Sequence, residues 1–324
     1  MRLLLPLLLL LQAAPAKAFL FGSASEEEAA AGLTQMRSAY EAGDCLSVLK
    51  RSEVFLDEKP SAAMREEAYD YIGRCYESAG SADKAISLYK LALELYPENI
   101  FFASRLALIY NQAGFPENAA PLFLKVLSIK SDDPEANLGL ARAYASLGFL
   151  SRAKDFYSRA VILQDFLDPA VLDEYALCML RKRDWSEALY IAGKGAQAAP
   201  LSASWPLVEA RVRAGQGNYH KALAAIEAAI LLEPSRRLRL ERALYLLMGG
   251  LPRRAMDAAD AELAADGKDP LASAVKGMAL YTLGQKAQAS PYLTAARCGG
   301  PFTAKIAGSL LGLPAGATED ECGK

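Results

Sequence analysis

An alanine with aromatic residues at fixed offsets returns about every 34 residues along this chain. At one register position the series reads Val48, Ala85, Ala119, Ala153, Ala188, Ala222, Ala255 and Ala289, with spacings of 37, 34, 34, 35, 34, 33 and 34. A unit that small cannot bury its own apolar face, so neighbouring units must stack and share a core. Within each unit apolar residues recur at i, i+3, i+4 and i+7, which predicts two amphipathic helices. Glycine falls between the helices at Gly43, Gly80, Gly114, Gly148, Gly217, Gly250 and Gly284. A left-handed helix end is cheapest with glycine. The fifth unit is the exception, with Arg183-Asp184-Trp185 at that place. Pro60, Pro97, Pro200 and Pro234 close second helices, and Pro134, Pro169 and Pro270 open the next unit, where proline suits the first turn.

Close packing gives the period its physical meaning. Ala85 and its equivalents lie where the second helix approaches the first, and a larger side chain would push the two apart. Gly73, Gly277, Ala107, Ala141, Ala176, Ala210 and Ala243 do the same on the first helix. Tyr76, Tyr110, Tyr144, Tyr89, Phe123 and Tyr157 fill the volume between. All of these read as core, with no ligand role. Cys75 and Cys178 share one small, buried register position and read as core too. Five cysteines leave at least one without an intrachain partner. Cys298 with Cys322 is a candidate tail staple.

At the residues just quoted the chain resembles the tetratricopeptide repeat family. The match is best over Glu66–Asp168 and looser over the rest of Ala29–Cys298. The resemblance implies an all-α fold: a right-handed superhelical solenoid of about eight stacked helix–turn–helix repeats. Residues 299–313 are expected to form a C-terminal capping helix, and 314–324 a disordered, acidic tail.

The resemblance also implies a concave groove, lined by the first helices, that holds a peptide or a partner helix. One groove-facing register carries Arg37, Arg74, Leu108, Arg142, Leu177, Arg211, Leu244 and Met278. In a regular stack Arg37, Arg74, Arg142 and Arg211 share a wall, and guanidinium groups pair well with carboxylates. The competing reading is that they balance Glu67, Asp70 and Glu77 on an ordinary wet surface. In the last two repeats Leu240, Leu244, Leu247, Met248, Leu271, Met278 and Tyr281 take groove positions. A patch lined by Leu and Met suits an amphipathic helix, unless these residues are core or the C-terminal helix covers them. The family's chaperone-tail clamp is not carried over, because Leu33 and Arg37 stand where lysine and asparagine are needed.

Composition narrows the function classes. A formal net charge of −2 argues against general nucleic-acid binding. His220 is the single histidine, which weakens acid–base, metal and triad chemistry. No phosphate loop, nucleophile elbow, HExxH helix or EF-hand loop is present, and neither a metal nor a cofactor is called for. The N-terminus, MRLLLPLLLLLQAAPAKA, has a basic start, a short apolar run and a small-x-small end. It reads as a secretory signal cut after Ala18, followed by a linker over 19–28 that ends in the acidic run Glu26–Glu28. No other apolar stretch is long and charge-free enough to span a bilayer.

The reading is therefore a non-enzymatic, exported interaction scaffold of the bacterial envelope. It would be periplasmic or extracellular, and bind a protein or peptide through its groove, without stable membrane insertion once the signal is removed. Two alternatives stay open: an accessory to, or divergent form of, a cell-wall glycan enzyme, and a self-assembling structural array.

Overall fold

Each turn in this chain stops one helix and starts the next, and the helix pairs follow from that. The structure, a computed structural model, describes residues 17–312, with side chains from Glu26 onward except that of Phe302. The expected signal peptide falls almost wholly, and the expected tail 314–324 wholly, outside the described residues. The described residues form seventeen helices and no strand. In chain order they are α1 (Lys17–Glu41), α2 (Cys45–Phe55), α3 (Ala62–Ser78), α4 (Ala82–Leu95), α5 (Ile100–Gln112), α6 (Pro116–Ile129), α7 (Pro134–Ser146), α8 (Leu150–Leu163) and α9 (Pro169–Lys182). Then come α10 (Trp185–Ala198), α11 (Ser204–Gly215), α12 (Tyr219–Leu232), α13 (Arg236–Met248), α14 (Pro252–Ala265), α15 (Pro270–Thr282), α16 (Lys286–Arg297) and α17 (Pro301–Leu311). Eight successive pairs and one last helix match the repeat count read from the period.

The chain divides into two compact units between Ala143 and Tyr144, inside α7. In the first unit α1 to α6 pack each on the next, and α1 also meets α3. In the second, α8 to α17 do likewise, with first helices touching directly at α9 and α11, α13 and α15, and α15 and α17.

All seven turn glycines have positive φ, between 68° and 81°. Arg183 adopts the same left-handed conformation at φ 60° without the freedom of glycine. Side-chain caps reinforce the starts: Asp44, Ser61, Asn99, Asp168, Asp184, Asn218, Ser235 and Asp269 each accept from a backbone N–H of the first turn. Pro116, Pro134, Pro169, Pro252, Pro270 and Pro301 each occupy the first helical position.

The eight register residues from Val48 to Ala289 are all fully buried. A Cβ on Gly73 would lie 2.4 Å from the Tyr89 ring, and one on Gly277 would lie 2.7 Å from Leu293. These are the close approaches that the small residues permit. Tyr89 and Tyr175 are completely buried, and their hydroxyls donate to Glu77 at 2.6 Å and to Glu187 at 2.8 Å. Burial, with the neighbouring carboxylate second, holds both phenols well above the ordinary range.

Two expectations change. Residues 19–28 are not a linker but the early part of α1, although Glu26–Glu28 are exposed as expected. Cys75 is not simply a core residue. It is buried and disulfide-bonded to Cys45 at the start of α2, with 5.1 Å between Cα atoms. Its register mate Cys178 remains a buried free thiol, pushed up by desolvation. His220 is exposed, in the first turn of α12. Cys322 lies outside the described residues.

Candidate functional site

Three of the four arginines expected in the groove, Arg37, Arg74 and Arg211, are held by carboxylates of the chain itself. Arg37 on α1 donates from Nε to Glu67 on α3 at 2.9 Å, and to the Tyr71 hydroxyl at 3.3 Å. Arg74 pairs with Asp70 one turn earlier and lies 4.6 Å from the ring centre of Phe101. Arg211 on α11 makes a two-pronged contact to Glu241 on α13, at 2.9 and 3.0 Å. Arg142 lies partly buried on α7. The competing reading names Glu67 and Asp70 as balancing charges, and both are partners here, whereas it does not name Glu241.

These pairs set the local electrostatics. Against the opposing effect of burial, the Tyr71 and Arg37 contacts hold the Glu67 carboxyl below its usual value. Contacts with Arg211 and Tyr245 do the same for Glu241, again against burial. Asp173 on α9 goes the other way: desolvation pushes it up, opposed by Ser204 and by the charge of Arg211. In the first unit Glu66, Glu67 and Asp70 line a pocket of about 430 Å³ with Ala63, Asn99, Phe101 and Phe102. The stretch around repeats two and three is thus mixed in sign rather than a basic wall.

The apolar end has a different character. Leu247, Met278 and Tyr281 come together in a pocket of about 600 Å³, completed by Thr282 and by Lys305, Ile306, Ser309 and Leu310 of α17. The C-terminal helix therefore forms the second wall of this patch rather than a lid over it. Lys305, Ile306, Ser309 and Leu310 recur at helical spacing, the signal in the sequence that marks a shared face. Tyr281 carries the Lys286 ammonium 5.2 Å from its ring centre. The Thr282 hydroxyl donates to the Met278 carbonyl at 2.8 Å, so that polar group is already satisfied.

Not every expected residue joins this pocket. Leu240 is only 3% exposed and belongs to the core, where the face of α13 that carries it turns inward. Leu244 is half-buried against Ala243, Leu246, Ala255, Ala259 and Val275. Met248 is exposed at the end of α13 but does not line the pocket.

The family pattern of the tetratricopeptide repeat matches residues 66–99, 104–170 and 207–270. The chain belongs to the tetratricopeptide repeat family. Over 258 residues, 76% of the chain, it is 24% identical to BBSome complex member BBS4 of Bos taurus, covering 48% of that protein. Over 193 residues, 56% of the chain, it is 24% identical to lipopolysaccharide assembly protein B of Escherichia coli K12, covering 49% of that protein. The chain thus spans about half the length of the curated relatives it matches. Among solved structures it resembles a tetratricopeptide repeat protein from Parabacteroides merdae, with a TM-score of 0.60 at 19% identity, over 76% of this chain and 97% of that one. It also resembles PilW, a type IV pilus biogenesis factor, with a TM-score of 0.51 at 16% identity, over 62% of this chain and 93% of that one. The structural likeness establishes the repeat fold. No helix among the described residues is long and apolar enough to cross a membrane.

Proposed function

We propose that this tetratricopeptide repeat protein is a non-enzymatic scaffold that is exported to the bacterial cell envelope and holds a segment or helix of a partner protein. Its role is in the assembly of an envelope or secretion complex. The observation that carries the binding reading is the pocket bounded by the end of α13, α15 and α17, where Leu247, Met278, Tyr281, Ile306 and Leu310 offer an open apolar surface. The Cys45–Cys75 disulfide supports export, because such bonds persist in oxidising compartments. The similarity to lipopolysaccharide assembly protein B and to PilW supports an envelope setting.

The paired arginines move the weight of the proposal toward the C-terminal end. A partner that used Arg37, Arg74 or Arg211 would have to compete with Glu67, Asp70 or Glu241 for each guanidinium. The test is a photo-cross-linking residue placed at Met278 in cells, with a second placed at the exposed Leu91 of α4 as control. A defined envelope protein captured from position 278 and not from 91, and lost with Ile306→Glu, is the expected result. Equal capture from both positions would sink the groove reading.

A further inference from the structure

Between Asp269 and Glu319 the chain contains no aspartate or glutamate. That stretch builds α15, α16 and α17 and carries four cations: Lys276, Lys286, Arg297 and Lys305. Two of them are committed. Lys276 reaches Asp260 on α14 at 2.5 Å and stands 4.2 Å from the ring centre of Tyr292. Arg297 is 5% exposed, in the core. The other two, Lys286 and Lys305, are exposed and have no carboxylate partner among the described residues. Lys305 lines the apolar pocket, and Lys286, which does not line it, stands 5.2 Å from the ring centre of the lining residue Tyr281. This is the reverse of Arg37, Arg74 and Arg211, which are all paired within the chain.

An apolar pocket flanked by ammonium groups that no carboxylate among the described residues pairs is complementary to an apolar segment that carries carboxylates. We propose that this pocket takes an apolar side chain of a short amphipathic segment of a partner protein, whose flanking carboxylates are held by Lys305 and Lys286. The proposal rests on the groove reading above and adds to it the sign of charge that is selected. The ammonium groups supply steering and choice of partner, and the apolar contact supplies most of the residence time.

The probe is a dye-labelled synthetic helix of repeated Leu-Leu-Glu-Glu, compared with one of repeated Leu-Leu-Lys-Lys, each titrated with the full chain and read by anisotropy. The acidic helix is expected to bind about tenfold more tightly, an advantage that shrinks with added salt. Lys286→Glu with Lys305→Glu should reverse the order, and both are surface changes that leave the core intact. Met278→Glu should weaken both helices. Equal binding of the two helices by the native chain, with Met278→Glu still harmful, would overturn the charge selection and leave the groove reading standing. Unchanged binding in Met278→Glu and in Ile306→Glu would overturn both. If neutralising Glu319, Asp320 and Glu321 tightens capture of the acidic helix, the chain's own tail is the occupant. If capture weakens as protein concentration rises, a second copy is. Either result would overturn assignment to a partner.

Discussion

Arg211 on α11 donates through Nε and Nη2 to both carboxylate oxygens of Glu241 on α13, at 2.9 and 3.0 Å. Tyr245, one turn beyond, donates its hydroxyl to the same carboxylate at 2.6 Å. The arrangement recurs in the first unit with Arg37, Glu67 and Tyr71, where the tyrosine hydroxyl donates at 2.7 Å. In both cases arginine and glutamate are 30 residues apart. Lys154 and Asp184, Arg236 and Asp266, and the disulfide partners Cys45 and Cys75 share that separation. Thirty is the repeat period less about one helical turn, so one offset joins neighbouring repeats by ion pair, hydrogen bond and covalent bond.

Burial separates the two arginine pairs in energy. The side chains of Arg211 and Glu241 are 24% and 18% exposed, against 48% and 35% for Arg37 and Glu67. A double-mutant cycle with Arg211→Met and Glu241→Gln, read by urea unfolding, should give a coupling of about 2 kcal/mol. The cycle at Arg37 and Glu67 should give none that is measurable, since solvent screens that pair. Equal couplings would show that burial does not set the strength of these links.

Arg183 offers a gain in stability. It is an exposed residue in the left-handed conformation that glycine takes in the seven other turns. Arg183→Gly removes a backbone cost of about 1–2 kcal/mol and gives back part of it through the freer unfolded chain. The expected net effect is a stabilisation of about 0.5–1 kcal/mol, read as a rise in Tm. A fall in Tm would mean that the Arg183 side chain makes a contact worth more than the strain.

Gly73 tests the packing rule from the other direction. Tyr89 sits against it and is backed by Phe101 and Phe102, with ring centres 6.4 and 6.0 Å away. Gly73→Ala adds about 1 kcal/mol of helix propensity but forces a methyl group into that ring. A net loss of about 1–2 kcal/mol is expected, relieved by Tyr89→Leu in the same chain. Loss without relief would place the strain elsewhere.

The period made the helix pairs, the turn glycines and the buried alanine column legible, because each of them repeats at one register. The contacts between repeats were not legible, because they run at a second offset that the period does not display. Glu241 was therefore missed, whereas Glu67 and Asp70 were named in the competing reading as charges that balance the arginines. The Cys45–Cys75 bond was missed for the same reason: Cys75 has its register mate in Cys178, and its real partner is 30 residues away. The part played by α17 escaped on different grounds. Amphipathicity predicts that a last helix covers apolar surface, but whether it lies over a patch or beside it depends on where α15 leaves its face open.

Asp184 contributes stability that is lost in acid. It caps α10 and is bonded first of all to Lys154, then, against burial, to Lys182 and to the backbone N–H of Glu187. These contacts lower its pKa from 3.8 to about 2. A carboxylate whose folded-state pKa is depressed adds stability above its unfolded pKa, and that stability fades as pH falls toward the folded value. Asp184→Asn keeps an oxygen to cap the helix and removes the charge. The native chain should exceed this variant in stability above about pH 4, and the difference should close between there and about pH 2. Urea midpoints measured across that range would show it, and a difference independent of pH would mean that the cap, and not the Lys154 ion pair, carries the contribution of Asp184.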